Sequence, residues 1–156
     1  MSDSSVVFMM GKYEAILPAD RQYADNHHWL KAEGDHFRVG FTSYAVRLLQ
    51  DVYFLDWSID PDTVVRKKQE VGEIETSKAV ASLYAPVDAR ILTFNQALMN
   101  DPSLINTDNY DAGWLYEIES TALMMSVDEY LAHLNATWDA TQKTLKGQYN
   151  ESEHTN

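Results

Sequence analysis

The sequence predicts a single, mainly β domain that has short helices and one C-terminal helix. Short segments rich in branched and aromatic residues recur between turn signals from Trp29 onward, which is typical of strands. One longer segment with helical apolar spacing follows them near the C-terminus. The chain has 156 residues, of which 45% are hydrophobic, so one domain can bury its own core. We divide it into a lead-in, 1–20, a core, 21–122, and a C-terminal helix with its tail, 123–156.

The predicted strands begin with a hairpin. Gly34-Asp35 is a turn signal between two segments, 29–33 and 36–40, of which the second alternates polar and apolar residues. Segment 52–57 is dense in aromatic and branched residues, which favours a buried strand. Further strands are predicted at 63–66, 70–76, 80–84, 87–94 and 113–118. The lead-in before them is predicted to be extended or loosely ordered.

Three segments have the spacing or the capping residues of helices. Thr42 is a candidate N-cap, and the apolar residues that follow it predict a helix over 43–50. A second short helix is predicted to begin at Asn95. Ser126 and Glu129 form a capping box, which marks the start of the C-terminal helix. The apolar side of that helix consists of Val127, Tyr130, Leu131, Leu134 and Trp138.

The composition disfavours several classes of function. The 24 acidic and 12 basic residues give a formal net charge of −12, which repels nucleic acids and anionic membranes. Cysteine is absent, and this excludes disulfides, thiolate metal sites and cysteine nucleophiles. The sequence shows neither the core of a signal peptide nor a membrane span. We therefore expect a cytoplasmic protein that binds no nucleic acid and no membrane.

The segment with the most chemical information lies between the predicted strands 70–76 and 80–84. Its tip places Lys78 between two small residues, Ser77 and Ala79. Small neighbours leave the lysine amine open to a modifying enzyme, and Glu75 can help to mark the tip for recognition. An ordinary solvated lysine in a turn has the same local pattern. These few residues alone leave both interpretations open.

A much longer stretch of the chain resembles the glycine cleavage H-protein family. The family usually has His-Glu-Trp where this chain has His27, His28 and Trp29. The segments that carry the resemblance are 27–29, 39–45, 49–52, the lysine hairpin, 84–86, 95, 101–106 and 113–115. The resemblance implies a flattened β barrel, the barrel-sandwich hybrid. It also implies that Lys78 carries lipoic acid in amide linkage.

The resemblance further implies a carrier rather than an enzyme. A lipoyl arm that reaches on the order of 10–15 Å moves a bound intermediate between separate enzymes. The implied partners are a lipoate ligase or transferase, which would recognise Glu75, Ser77 and Ala79 beside the lysine, and a dihydrolipoyl dehydrogenase. The remaining partners depend on the pathway. An unlipoylated barrel that serves only as a scaffold or binding module is an alternative from another class.

The residue at position 82 bears on the pathway. The family usually has Ala-x-Ser-Asp after the lysine, whereas this chain has Ser82 in place of the aspartate. A neutral serine suits the cationic aminomethyl group of glycine cleavage less well than a carboxylate does. The serine therefore favours a second branch, which the chain also resembles in segment 47–57 and in its long tail through Gln148. This branch is that of the lipoate-binding proteins of sulfur oxidation to sulfite, and the resemblance implies a heterodisulfide-reductase-like complex as the partner. The aminomethyl carrier of glycine cleavage, which serves a glycine decarboxylase and an aminomethyltransferase, is the alternative.

The sequence also predicts the positions of several residues outside the hairpin tip. The resemblance implies that His27 lines the cleft in which the arm rests, together with Ser82, and His28 is predicted to be on the surface. If both histidines lie on a strand, they point to opposite faces and cannot bind one metal ion together. Glu73 and Glu75 share one strand face and are interpreted as a solvated edge that faces partners. We also expect local strain at four turns at which the family tends to have glycine: Gln50, Asp62, Lys68 and Ala89.

Overall fold

The computed structural model describes residues 5–154, which form eleven strands and four helices. The first four residues of the predicted lead-in and the last two of the predicted tail lie outside this range. The strands are β1 Ser5–Met10, β2 Tyr13–Pro18, β3 Gln22–Tyr23, β4 His28–Glu33, β5 His36–Phe41, β6 Val52–Trp57, β7 Val64–Val65, β8 Glu70–Thr76, β9 Val80–Tyr84, β10 Ala89–Phe94 and β11 Tyr116–Glu119. The helices are α1 Ser43–Leu49, α2 Ala97–Asn100, α3 Leu104–Thr107 and α4 Val127–His154.

Two antiparallel sheets enclose the main hydrophobic core. One sheet has the strand order β3-β4-β5-β11-β10-β7, and the other has the order β6-β8-β9. Val39 and Ile118 of the first sheet and Ile74 of the second are fully buried in one cluster of apolar side chains. Alternation along each strand sends every second side chain into this cluster. The fold is therefore mainly β, as predicted.

A second, smaller core joins the two ends of the chain. β1 and β2 form a separate hairpin, and Phe8 and Leu17 of this hairpin pack with Tyr130 and Leu134 of α4. Trp138 lies edge-on to Phe8, with ring centroids 5.8 Å apart. Most of the predicted lead-in is thus an ordered hairpin. The helix and the hairpin cover each other's apolar sides, which removes both from water.

Most sequence-predicted elements occur in the structure, with small shifts at their ends. β6, β8 and β9 have the predicted bounds. The capping box of α4 forms as predicted: Glu129 N–H donates to Ser126 Oγ at 3.1 Å, and Ser126 N–H donates to Glu129 Oε1 at 2.9 Å. α1 ends one residue before the predicted end, and the last predicted strand begins at Tyr116 instead of 113. β3 and α3 were not predicted. Within 5–154, no helix is both long enough and apolar enough to cross a membrane.

Of the four turn positions at which the family tends to have glycine and this chain does not, three have a left-handed backbone. Gln50, Asp62 and Lys68 have φ angles of 62°, 68° and 74°. The prediction of strain is wrong for Ala89, which lies in β10 and has no positive φ. Gln50 is the most constrained, because its ψ of −149° places it close to a region that is essentially restricted to glycine.

The variant Gln50→Gly is expected to raise the free energy of unfolding by about 1 kcal/mol. A side chain in this region costs about 1–3 kcal/mol, which exceeds the entropy that glycine adds to the unfolded chain. Urea unfolding measures the change. The matched control is Gln22→Gly in β3, where φ is not positive, and it should lower the free energy of unfolding by about 0.5–1 kcal/mol. An equal decrease in the free energy of unfolding in both variants would show that Gln50 is not strained.

Candidate functional site

Lys78 lies at the tip of the hairpin that β8 and β9 form. Glu75 pairs with Val80 at the end of the ladder, and residues 77–79 make the turn. Ser77, Lys78 and Ala79 are all exposed, as predicted. Among the residues that the structure describes, Lys78 makes no ion pair. Its amine is therefore open to a modifying enzyme.

Thr76 holds the backbone of the tip in place, a role that the sequence analysis missed. Its N–H donates to Ala79 O at 2.9 Å, and its hydroxyl accepts from Lys78 N–H at 3.2 Å. Ser77 N–H donates to Asp51 O at 2.9 Å, which ties the tip to the turn before β6. Threonine hydroxyls often bond to the backbone two or three residues further on. Thr76, directly before the turn, could have been found from that signal.

The outer face of the sheet β6-β8-β9 surrounds the tip with exposed carboxylates and apolar side chains. Glu73 and Glu75 are exposed on this face, as predicted, and Ile74 between them points into the core. Phe54 of β6 pairs with Glu75 and is 54% exposed, and Val80 on the other side of Glu75 is 61% exposed. Any enzyme that reaches Lys78 therefore meets a mixed acidic and apolar surface.

A cavity of about 210 Å³ lies at the base of the hairpin. His27 and Ser82, the two predicted cleft residues, both line it, and so do Asn26 and His28. Apolar side chains from α1, β5, β8 and β9 form most of the remaining wall. No Asp, Glu, Lys or Arg belongs to the wall among the described residues. The cavity is therefore apolar with a few neutral polar groups, which is typical of a small-molecule site.

His27 connects the cavity to the C-terminal helix. It precedes β4 and has a φ of 70°, so the two histidines do not share a strand. Its Nδ1 lies 2.9 Å from Tyr130 Oη, and the same Oη lies 2.9 Å from Thr42 Oγ1, the N-cap of α1. Burial lowers the pKa of His27 to about 4, and the nearby His133 contributes further. His27 is therefore neutral at pH 7.

His28 is buried, and its predicted surface position is wrong. It is the first residue of β4, pairs with Phe41 of β5 and is only 3% exposed. Its ring stacks on Phe41 with a centroid distance of 4.9 Å. Neither ring nitrogen has a hydrogen-bond partner among the described residues, and the same holds for Asn26 Oδ1. Burial lowers the pKa of His28 to about 3, so this ring is neutral too.

The two cavity histidines are expected to make the fold less stable as the pH falls below about 6.5. In the unfolded chain they take up protons near pH 6.5, whereas in the folded chain they do so only near 4 and 3. Between these values the unfolded chain binds more protons, so the free energy of unfolding falls with falling pH. Inside this window each histidine contributes about 1.4 kcal/mol per pH unit.

Urea unfolding at pH 6.5, 6.0, 5.5 and 5.0 tests this prediction, because these values lie above the range in which carboxylates usually titrate. The variant His28→Phe should reduce the slope by about half, since it removes one of the two groups. A free energy of unfolding that is the same at pH 6.5 and 5.0 would contradict the prediction.

The described part of the site has no arrangement that would hold a metal ion. Among the described residues, no three side chains of His, Asp or Glu come close enough to ligate one ion. The buried nitrogens of His28 therefore belong to no metal site among the described residues.

Three comparisons with known proteins agree with one another. The sequence profile of the family described as "Glycine cleavage H-protein" matches residues 21–145. The chain is 39% identical to the glycine cleavage system H protein of Mycolicibacterium gilvum over 119 residues, which covers 76% of this chain and 88% of the relative. It is 34% identical to the glycine cleavage system H protein of Listeria monocytogenes over 119 residues, which covers 73% of this chain and 94% of the relative.

A solved structure has the same fold. The crystal structure of a glycine cleavage system H protein from Mycobacterium marinum superposes with a TM-score of 0.68 at 35% sequence identity. The match covers 76% of this chain and 99% of that chain. The hairpin β1-β2 lies before the segment that the family profile matches.

Proposed function

The chain belongs to the glycine cleavage H-protein family, and we propose that Lys78 is the lysine on which it carries lipoic acid. Proteins of this family are non-catalytic carriers, and their cofactor is lipoic acid attached covalently to a lysine. The observation that carries the proposal is the exposed position of Lys78 at the hairpin tip, between Ser77 and Ala79. Bound lipoic acid supplies a dithiolane that can be reduced, loaded and reoxidised.

The chain's own residues would position the attached arm. Thr76 and Asp51 fix the tip backbone through the contacts described above, so the lysine side chain starts from a defined point. Ser82 lies four residues further along β9, which is about 13 Å at about 3.3 Å per residue. An arm that reaches on the order of 10–15 Å can therefore fold back to the cavity. We propose that His27 and Ser82 belong to a cleft in which the arm rests between visits.

Glycine cleavage is the first candidate pathway. The relatives named above are glycine cleavage system H proteins, and this supports the aminomethyl carrier over the sulfur carrier that the sequence analysis favours. The partners would be a glycine decarboxylase, an aminomethyltransferase, a dihydrolipoyl dehydrogenase and a lipoate ligase or transferase. We propose that the enzyme that attaches lipoic acid reads Glu75, Ser77 and Ala79.

One observation favours sulfur oxidation as the second candidate. The described wall of the cavity contains no carboxylate, and Ser82 stands where the family usually has an aspartate. A buried cation without a counter-charge pays a large desolvation cost. A neutral or soft sulfur cargo avoids that cost. The partner would then be a heterodisulfide-reductase-like complex.

Two measurements test the proposal. Intact mass and peptide mapping of the chain from its native host should show one lipoyl group, on Lys78. A chain without this modification would instead support the unlipoylated scaffold. Loading assays then decide the pathway: aminomethylation of the arm by a glycine decarboxylase supports glycine cleavage, whereas loading of sulfur on the reduced dithiol supports sulfur oxidation.

A further inference from the structure

The tip of the hairpin β1-β2 places two cations around one exposed aromatic ring. Lys12 lies in the turn between the strands, and Tyr13, the first residue of β2, is 44% exposed. The guanidinium carbon of Arg47 on α1 lies 3.4 Å from the centroid of the Tyr13 ring, and Lys12 Nζ lies 5.6 Å from it. All three residues are exposed. We call Lys12, Tyr13 and Arg47 the cationic corner.

Neither cation of the corner has a counter-charge within the described part of the chain. Lys12 and Arg47 make no ion pair there, although the chain has 24 acidic and only 12 basic residues. Arg47 lies in the last turn of α1, where the partial negative charge of a helix end favours a cation. This local effect does not account for Lys12, which belongs to another element. The pair of cations therefore indicates a site for an acidic group from outside the chain.

The cationic corner lies close to the lysine tip. Arg47 is four residues before Asp51, so their Cα atoms are at most about 14 Å apart. Asp51 O accepts from Ser77 N–H at 2.9 Å, which joins the end of α1 to the tip. The corner is thus within about 20 Å of the tip along this path. A standard interface covers about 800 Å² per partner, a patch about 30 Å across, so one partner can contact both.

The corner has the composition of a binding hot spot. Tyrosine and arginine are enriched among the residues that contribute most to the free energy of binding. A guanidinium can bind a carboxylate through two parallel hydrogen bonds. The stacking of Arg47 on Tyr13 orients the guanidinium before a partner arrives, which lowers the entropic cost of binding. Lys12 adds a second positive charge, so the partner surface that fits the corner is acidic.

The surface around Lys78 therefore carries both signs of charge. Glu73 and Glu75 are exposed and make the β8 side of the tip acidic, whereas the corner is basic. Complementary charges fix the orientation in which two proteins meet and raise the rate of association. A partner that is basic opposite β8 and acidic opposite the corner would bring the same part of its surface to Lys78 at every visit.

We propose that the cationic corner is a docking site for an acidic surface of the enzyme that loads the arm. The inference rests on the proposed attachment at Lys78. Lys12 and Tyr13 lie before the segment that the family profile matches, and Arg47 lies within it. The corner thus joins the hairpin β1-β2 to the common body of the family and gives this hairpin a role in the choice of partner.

Steady-state loading of the full-length lipoylated chain tests the proposal. The probe is the glycine decarboxylase of the native host if it aminomethylates the arm, and the heterodisulfide-reductase-like complex if sulfur is loaded instead. At about 0.1 M salt, the double variant Lys12→Glu/Arg47→Glu should raise the KM for the carrier by about tenfold or more. Its kcat should stay within about twofold, because the corner does not touch the reacting atoms. At about 1 M salt the rise in KM should fall below about threefold, since the Debye length is then only about 3 Å.

Arg66→Glu/Lys68→Glu is the matched control, because it changes the net charge by the same amount. Both residues are exposed and make no ion pair among the described residues. They precede β8, whose seven residues place them about 20 Å from the tip. The KM of this variant should stay within about twofold. An equal rise in KM in both double variants, or no rise in Lys12→Glu/Arg47→Glu, would overturn the inference.

A second measurement needs no substitution, so it decides even if a variant fails to fold. Titration of the ¹⁵N-labelled lipoylated chain with the same enzyme should weaken the amide signals of Lys12, Tyr13 and Arg47 more than those of Arg66 and Lys68. An equal loss of signal at both places would overturn the inference. Sedimentation of the carrier alone tests for a second copy: a dimer that Lys12→Glu/Arg47→Glu dissociates would assign the corner to self-association and overturn the inference too.

Mass spectrometry separates the failure of this inference from that of the proposed function. A chain without lipoyl on Lys78 overturns the proposed function and this inference with it. A chain that is lipoylated and loaded, but whose KM does not depend on the corner, overturns this inference alone. Lipoylation that is lost in Lys12→Glu/Arg47→Glu would assign the corner to the enzyme that attaches lipoic acid, and this result would also overturn the inference.

Discussion

The variant Lys78→Arg is expected to lose lipoylation and all carrier activity while its melting temperature stays within about 2 °C of the unsubstituted chain. The guanidinium keeps the positive charge but stays protonated, so it cannot form the amide. The exposed tip makes no ion pair among the described residues, and surface substitutions of this kind usually change the free energy of unfolding by no more than about 0.5 kcal/mol. Intact mass, a loading assay and thermal unfolding measure the three effects.

Lys68→Arg is the matched control for this variant. Lys68 is also an exposed lysine in a turn, two residues before β8, and its substitution should leave lipoylation and loading unchanged. A lipoyl increment that persists on Lys78→Arg would place the attachment elsewhere. A fall in melting temperature of more than about 4 °C would show that the lysine contributes to folding and does not stand clear of it.

The lysine hairpin could be predicted because its information is local. Polar and apolar residues alternate over 73–75, and the small residues Ser77 and Ala79 flank Lys78 in a short turn before 80–84. β8 and β9 have the predicted bounds. The capping box of α4 is likewise complete within four residues, Ser126 to Glu129. Such patterns fix an element without help from the rest of the chain.

The second core and the full lining of the cavity could not be predicted, because each depends on contacts between distant parts of the sequence. The apolar residues of the lead-in, such as Phe8, are buried because α4 and Tyr44 of α1 cover them. His28 looks like a surface residue by type, and it is buried because β4 pairs with β5 and brings it against Phe41. The same pairing leaves both ring nitrogens buried without a hydrogen-bond partner among the described residues.

Tyr130 connects α4 to the second core and to the wall of the cavity. It is fully buried, its ring stacks on Tyr23 with a centroid distance of 4.8 Å, and its hydroxyl lies 2.9 Å from both His27 Nδ1 and Thr42 Oγ1. Thr42 in turn caps α1, since its hydroxyl accepts from Ala45 N–H at 3.2 Å. One side chain therefore links the C-terminal helix, the cavity wall and the start of α1.

The variant Tyr130→Ala is expected to lower the free energy of unfolding by about 3–5 kcal/mol, because it leaves a large cavity in the second core. Tyr130→Phe keeps the stacked ring and removes only the hydroxyl, so the expected loss is about 1–3 kcal/mol from the hydrogen bonds that His27 and Thr42 lose. Urea unfolding measures both changes. Asn135→Ala, on the exposed side of α4, is the control and should change the free energy of unfolding by less than about 0.5 kcal/mol. If Tyr130→Ala lowered the free energy of unfolding no more than this control, α4 would not pack on the second core in solution. Its contact with His27 would then be absent as well.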